Sequence, residues 1–355
     1  MWLKELTLKN FRNYRLTTVS FNKGMNVIVG KNGAGKTNLL EAIYLLSTGQ
    51  SFRTPHLSDL IYNGASEFSI EAHFEKDQVA QTLSLGFDGN KRKIIYNNTL
   101  YTSFSHLLGI IPSVLYSPKD IELIIGSPSD RRRFLNIQIA QSDPLYVYHL
   151  TRYHQAMKHR NALLKIRKEE TMSSWEQMMA LSATYLIEKR EKVIQSLSPI
   201  LHTFAKKLSR DKDLFDLSYS PSISMKKIRE NVTEGIESIF KKQRAKELLL
   251  GTTLNGPHRD DVGITFHNKE AKIYSSEGQK RTCISALKIA EWSHLAKYSG
   301  IKPLLSIDDF GVHLDDNRSE DLHLQLQSFG QVFLTTPIKH KSGQYTLSVN
   351  DGSIS

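Results

Sequence analysis

The chain has 355 residues, 39% of them apolar, and a formal charge of +11. Its length suffices for one large domain or two ordinary ones, and its only cysteine, Cys283, excludes an intrachain disulfide or a metal site built from several cysteines. The positive charge predicts a polyanionic partner, either nucleic acid or an acidic membrane surface.

No apolar run approaches the ~20 residues that a membrane-spanning helix needs, and the first residues lack the charged and apolar regions of a signal peptide. We therefore expect a cytoplasmic protein with no membrane partner.

Strand patterns dominate residues 1 to about 120. Leu6 and Leu8 stand at strand spacing and predict a strand at the edge of a sheet. Residues 68–74 alternate between apolar and polar, as do residues 83–87, which precede an Asp88-Gly89 turn. These segments predict an antiparallel sheet.

A phosphate loop follows the apolar segment 25–29, which reads as a buried strand. Its residues match the pattern G-x-x-x-x-G-K-[ST] and are Gly30, Lys31, Asn32, Gly33, Ala34, Gly35, Lys36 and Thr37. Residues 38–46 then read as a helix, and this context disfavours a chance glycine-rich turn. Glycines let backbone N–H groups and the helix N-terminus surround a phosphate. Lys36 would bind the outer phosphates of a triphosphate, and the Thr37 hydroxyl would ligate Mg²⁺.

Residues 121–250 have few glycines and read mainly as helices, with loops predicted at 169–174 and 218–224. The segment holds 23 Lys and Arg residues against 15 Asp and Glu residues. Its basic and aromatic side chains are able to meet phosphates and stack on bases, although solvated helix faces and core aromatics give the same pattern. The set comprises Arg131, Arg132, Arg133, Arg152, Lys158, Arg160, Lys165, Arg167, Lys168, Phe134, Tyr146, Tyr148 and Tyr153.

Strand character returns after residue 250, where Val262, Ile264 and Phe266 alternate with other residues. This pattern predicts that the core fold resumes. Residues 1–120 and 251–355 would then form one discontinuous nucleotide-binding head, and 121–250 would be an inserted basic helical lobe. The insertion lacks the sustained heptads of a long coiled coil.

Two further stretches in this last segment contain candidate residues for nucleotide binding and hydrolysis. Ser276, Gly278 and Gln279 open a predicted helix, where a hydroxyl, an unhindered backbone N–H and the helix dipole can bind an anion, although a plain serine cap looks similar. The apolar run 303–307 ends in Asp308 and Asp309. Asp308 would support Mg²⁺, commonly through water, and Asp309 would act as a general base or polarise the attacking water.

The order of these motifs resembles that of ABC-type ATPase heads, and at finer detail the chain resembles the RecF family of bacterial recombination and repair proteins. The resemblance covers essentially the whole chain. The stretches that carry it are Asn10–Tyr14, the phosphate loop with residues 38–42, Ser51–Arg53, Ser117–Asp120, Arg131–Leu135, Gly256–Asp261 and Ser276–Arg281.

The resemblance implies an α/β fold: an ABC-type P-loop head of a mixed core sheet plus an antiparallel sheet, with a helical lobe inserted. It implies a homodimer that closes over ATP and Mg²⁺, with the phosphate loop and Asp308 serving the nucleotide in cis and Ser276, Gly278 and Gln279 serving it in trans. Arg12 would lie near the base or ribose.

The implied role is recombinational repair and replication-fork maintenance, with binding to single-stranded, duplex or gapped DNA. The family acts with RecR and RecO in loading RecA and contributes to SOS induction. ATP would act as a switch, with Lys36, Asp308 and Asp309 supporting only weak, DNA-stimulated hydrolysis.

The chain departs from the general ABC pattern at several positions. Glu277 stands where transporters carry glycine, Asp309 stands where glutamate is usual, and Thr335-Thr336 stand where many relatives place a histidine. The shorter carboxylate and the missing histidine both favour slow hydrolysis. His313 occupies a position where RecF proteins more often carry an acid.

Two alternatives keep the ATPase head but change the function. A transporter subunit is disfavoured by Glu277 in place of glycine and by the basic insertion. A chromosome-organising subunit of the SMC kind needs a long coiled coil, which the sequence does not predict.

Overall fold

The computed structural model describes residues 1–224, 231–309, 326, 329–337 and 345–354. They divide into two compact units, each discontinuous in sequence. Unit 1 comprises Met1–Ile121, Thr203–Asp213 and Ser275–Ser355, and unit 2 comprises Glu122–His202 and Leu214–Tyr274.

The secondary structure alternates strand-rich and helix-rich stretches. The strands in chain order are β1 (Trp2–Phe11), β2 (Tyr14–Ser20), β3 (Met25–Val29), β4 (Phe68–Lys76), β5 (Val79–Phe87), β6 (Arg92–Tyr96), β7 (Thr99–Tyr101), β8 (Ser113–Tyr116), β9 (Phe215–Ser220), β10 (Asp261–Phe266), β11 (Lys269–Glu270), β12 (Leu304–Ile307), β13 (Val332–Thr336), β14 (Tyr345–Asn350) and β15 (Ser353–Ile354). The helices are α1 (Lys36–Thr48), α2 (Glu122–Ile125), α3 (Pro128–Ala140), α4 (Pro144–Lys165), α5 (Met172–Leu208), α6 (Val232–Leu250), α7 (Ala271–Tyr274) and α8 (Glu277–Ser299).

An antiparallel sheet in unit 1 has the strand order β2-β1-β4-β5-β6-β7. The expected antiparallel sheet is therefore confirmed. The expected edge position of β1 is wrong, because β1 pairs with both β2 and β4. Side-chain alternation shows which face of a strand is buried but not how many neighbours the strand has.

A second sheet in unit 1 positions the site, with the order β15-β14-β3-β13-β12-β8. All its pairings are parallel except β14 with β15. Because parallel strands end at the same edge, the loop after β3 and the acids after β12 lie on one side of the sheet. These are the phosphate loop and Asp308-Asp309.

Helix α1 joins the two sheets of unit 1. It contacts β8 and β13 of the parallel sheet and β4 and β5 of the antiparallel sheet. Its apolar residues belong to one core cluster with side chains from β1, β4 and β5. A helix covered on both sides reads as apolar around most of its circumference, as residues 38–46 do.

Unit 2 holds helices α2, α3, α4, α6 and α7, most of α5, and a small sheet ordered β11-β10-β9. The expected helices are confirmed, but β9 occupies part of the predicted loop 218–224, and α5 begins within the predicted loop 169–174. β10 pairs with β9, with Ile264 opposite Leu217. The expectation that the core fold resumes at this strand is therefore wrong.

The division between units correspondingly falls between Tyr274 and Ser275, whereas the predicted head began again at residue 251. The physical reason is the β9–β10 pairing, which keeps 251–274 with the helical unit. Alternating residues cannot indicate which strand will be the partner. Within the described residues, no helix has both the length and the apolar character required to cross a bilayer.

Candidate nucleotide site

The phosphate loop, Gly30 to Thr37, follows β3 directly and includes the first two residues of α1, so the predicted order of strand, loop and helix is confirmed. Gly35 has a φ of 119°, and a Cβ there would lie 2.8 Å from the Asn13 side-chain nitrogen. Asn13 also donates a hydrogen bond to the Ala34 carbonyl at 2.9 Å. Only glycine therefore fits this close turn, which brings the loop directly onto the start of the helix.

Lys36 is the cation of the loop, and its side chain is only 5% exposed. Its ammonium donates to the carbonyls of Gly30, at 2.7 Å, and Lys31, at 3.0 Å. Among the described residues it has no acidic partner. A buried cation that is satisfied only by neutral carbonyls is a favourable site for a phosphate anion.

Thr37 and Asp308 meet at the edge of the parallel sheet. The Thr37 hydroxyl donates to the Asp308 carboxylate, with oxygen distances of 2.9 and 3.2 Å. Thr335, at the end of β13, donates to the same carboxylate at 2.9 Å. The sequence correctly indicated that Thr37 and Asp308 converge, although they are 271 residues apart.

These oxygens fit a hard cation such as Mg²⁺, which prefers carboxylate, hydroxyl and water oxygens. Burial raises the pKa of the Asp308 carboxyl, and hydrogen bonds from Thr335 and Thr37 oppose this effect. A bound Mg²⁺ would supply the positive charge that stabilises the buried carboxylate.

Asp309 follows in a left-handed backbone conformation, with a φ of 55°. Its backbone N–H donates to the Thr335 hydroxyl at 2.8 Å. The loop Gly311–Asp315, with His313, lies outside the described residues.

Helix α8 begins at the predicted anion-binding segment that contains Ser276, Gly278 and Gln279. Ser276 caps the helix by accepting from the Gln279 N–H at 3.3 Å, while the Gln279 side chain accepts from the Ser276 N–H at 2.8 Å. Ser276 and Gly278 are exposed. The segment therefore presents the positive end of a 23-residue helix to an approaching anion.

Arg12 is held at the edge of the phosphate loop by a residue that the sequence did not single out. Its guanidinium makes two 2.8 Å hydrogen bonds to the fully buried Glu41 carboxylate and a third to the Asp59 carbonyl. Arg53 donates to Asn38 at 2.6 Å and approaches Glu41 at 3.4 Å. Glu41 follows Thr37 by one helical turn, so the two residues lie on the same face of α1. This spacing is the sequence signal that could have identified Glu41 as part of the site. The structure thus places Arg12 beside the loop; its contact with a base or ribose stays a prediction.

Two of the stretches that carry the resemblance, Arg131–Leu135 and Gly256–Asp261, pair with each other in unit 2. Arg131 binds Asp261 through two hydrogen bonds of 2.8 and 2.9 Å, and Arg132 donates to the Asp260 carbonyl at 2.8 Å. Asp260 is almost fully buried and forms an ion pair with Arg190 at 2.9 Å. These contacts show that Asp260 and Asp261 hold unit 2 together, and of the stretch Gly256–Asp261 only Arg259 is exposed.

The predicted DNA-binding set of unit 2 ranges from buried to exposed, with Arg131, Arg132, Arg152 and Phe134 partly buried and Tyr148 exposed. Arg160 is fully buried between Glu176 and Glu247, at 2.9 and 2.6 Å, and Tyr146 and Tyr153 belong to the core. For these residues the DNA-contact interpretation is wrong, because the positive charge or ring is already enclosed. The exposed cations are Lys158, Lys165, Arg167 and Lys168, together with Arg133.

His258 gives unit 2 a pH dependence that can be tested. Its Nε2–H donates to the Thr253 carbonyl at 3.1 Å, and its Nδ1 lies 2.7 Å from the Tyr153 hydroxyl, from which a neutral ring accepts. Burial lowers the pKa of His258 to about 4. Its stabilising effect is therefore complete above the unfolded pKa of about 6.5 and is lost as the pH falls toward 4.

We expect the free energy of unfolding of the wild type to fall between pH 7.5 and 5 by about 1 kcal/mol more than that of His258→Asn. Urea titrations of both proteins at the two pH values measure this difference. Equal pH dependence in the two proteins would contradict a neutral, buried His258.

Sequence similarity to known proteins identifies the family of this chain. The chain matches the family model described as RecF/RecN/SMC N terminal domain over residues 2–346. It is 45% identical over 337 residues to the DNA replication and repair protein RecF of Protochlamydia amoebophila, covering 95% of this chain and 94% of that protein. The RecF protein of Chlamydia abortus is 38% identical, with 100% and 98% covered.

Solved structures agree with the sequence relatives. The recombination mediator protein RecF with ATP, of the RecFOR pathway, matches with a TM-score of 0.93 and 31% identity, covering 100% of this chain and 97% of that chain. An SMC head bound to a domain of ScpA matches with a TM-score of 0.56 and 17% identity, which shows a shared fold alone. The expected α/β class and ABC-type ATPase head are confirmed, and the chain belongs to the RecF family of DNA replication and repair proteins.

Proposed function

We propose that this protein is an ATP-dependent DNA-binding protein of recombinational repair and replication-fork maintenance. The observation that carries the proposal is the buried Lys36 ammonium, held without an acidic partner among the described residues beside the Thr37–Asp308 pair. The full-length similarity to a RecF structure with ATP supports it.

ATP would lie along the phosphate loop, Gly30 to Thr37, with its outer phosphates on Lys36. Thr37 and Asp308 would hold Mg²⁺, the latter through water, and the metal would stabilise negative charge on the phosphates. Asp309 would orient the attacking water. We expect weak hydrolysis that DNA stimulates, because a short carboxylate holds the water less closely than a glutamate would.

A second copy of the chain would complete the site. Ser276, Gly278 and Gln279 are suited to this role because the capped start of α8 offers an exposed hydroxyl and backbone N–H groups. ATP would favour the dimer only to the extent that it binds the closed state more tightly than the open one.

The exposed cations of unit 2 would bind the phosphates of single-stranded, duplex or gapped DNA. RecR would be the direct protein partner, with RecO and RecA downstream and SOS induction as a consequence.

A DNA titration tests the function. With a non-hydrolysable ATP analogue, we expect tighter binding to duplex or gapped DNA than with ADP or no nucleotide; equal affinities would refute the ATP switch.

Lys165 and Lys168 allow the DNA surface to be located. Replacing both with alanine should weaken DNA binding and reduce the magnitude of the slope of log affinity against log salt by roughly 1 to 2. The slope falls because binding releases fewer counterions when fewer phosphates are contacted. Lys91→Ala with Lys93→Ala removes two exposed charges from unit 1 and is the matched control. Indistinguishable salt slopes in the two double variants would exclude this part of unit 2 as the surface.

A further inference from the structure

Thr335 connects the two acids of the site through one hydroxyl. Its side chain is fully buried at the end of β13. The hydroxyl oxygen lies 2.9 Å from Asp308 Oδ1 and 2.8 Å from the Asp309 backbone nitrogen. A hydroxyl has one proton and two lone pairs, so it donates to the carboxylate and accepts from the amide at the same time.

Strand register brings these groups together. β12 and β13 are parallel neighbours with Ile307 opposite Leu334, so the residues that follow on each strand meet at the same edge of the sheet. A hydroxyl at position 335 serves both a carboxylate and an N–H there, whereas an apolar side chain offers neither a donor nor an acceptor.

This contact matters because Asp309 has a left-handed backbone conformation. With a φ of 55°, Asp309 adopts a conformation that is uncommon for residues other than glycine and that persists where the surroundings hold it. Its N–H bond to Thr335 is the described contact that holds it. Loss of that acceptor would allow the backbone to relax and would move the attached carboxylate.

We propose that Thr335 is the positioning residue of the acidic pair, fixing the Asp308 carboxylate and the Asp309 backbone together so that Asp309 is held in place for hydrolysis. The inference rests on the proposed nucleotide function. Thr37 would turn its oxygen toward Mg²⁺ on nucleotide binding, whereas the Thr335 contact can persist, because it involves neither the phosphate loop nor the first residues of α1.

Thr335→Val tests the proposal because valine keeps the branched shape and removes only the hydroxyl. We expect kcat for ATP hydrolysis in the presence of DNA to fall at least about 10-fold, since small displacements of a reacting group have large effects on rate. The dissociation constant of a non-hydrolysable ATP analogue, measured by fluorescence, should change less than about 3-fold because the phosphate loop is intact. Thr335→Ser restores the hydroxyl and should return kcat to within about 3-fold of the wild type.

A residue that merely packs the strand predicts other results. Hydrolysis by the valine variant within about 2-fold of the wild type, equal losses in kcat and analogue affinity, or failure of serine to rescue would each overturn the proposal. If circular dichroism shows that the valine variant does not fold, Thr335→Ala replaces it with the same expectations. Failure of the wild type itself to bind the analogue would refute the proposed function instead, so the two failures are distinguishable.

Discussion

Lys36→Ala is expected to lower the affinity for ATP by at least about 100-fold, equivalent to about 2.7 kcal/mol, while leaving the protein folded. The ammonium is enclosed by the phosphate loop, where its interaction with a phosphate is weakly screened by water. In the absence of nucleotide it makes hydrogen bonds only to two loop carbonyls among the described residues. Isothermal titration calorimetry with Mg-ATP measures the change in affinity.

Lys31→Ala is the matched control for this prediction. Lys31 carries the same charge on the same loop, but its side chain is exposed. We expect its replacement to change the affinity by less than about 3-fold, because exposed charges contribute little. Comparable losses in the two variants would indicate that net charge, and not the enclosed position of Lys36, determines the binding of ATP.

Asp260→Asn is expected to lower the free energy of unfolding by about 3 to 5 kcal/mol. Its carboxylate accepts from Arg190 at 2.9 Å, from the Tyr219 hydroxyl and from the Ser222 N–H at 2.8 Å. Arg190 is only 2% exposed and would lose its counter-ion inside unit 2. Urea unfolding followed by circular dichroism measures the change.

Asp216→Asn is the control in the same unit. Its carboxylate is about half exposed and lies 3.2 Å from His202. Removing this charge should cost less than about 1 kcal/mol, the usual contribution of an exposed pair. If Asp260→Asn were no more destabilising than Asp216→Asn, the buried network would not be a main support of unit 2.

The sequence was most informative where function depends on local spacing. The phosphate loop, the cap at Ser276 and the strand before Asp308 are each recognised within a few residues, because a turn, a helix start or a buried strand has a short chemical signal. Thr37 and Asp308 were each assigned to Mg²⁺ from such local signals, and the parallel strands of the sheet bring them together.

Long-range partners could not be predicted in the same way. Arg160 and Lys165 belong to one helix and look alike in sequence, but Arg160 meets Glu176 and Glu247 in the core, whereas Lys165 is exposed. The pairing of β10 with β9, the Arg12–Glu41 contact and the role of Thr335 share this cause. Each depends on which distant group the fold brings near.

Light scattering with and without a non-hydrolysable Mg-ATP analogue shows directly whether ATP closes a dimer of this chain. We expect a mass near that of the 40.4 kDa chain without nucleotide and a doubling of that mass with the analogue. Lys36→Ala should remain at the lower mass under both conditions. An unchanged mass of the wild type at a saturating concentration of the analogue would contradict the proposal that ATP closes a dimer.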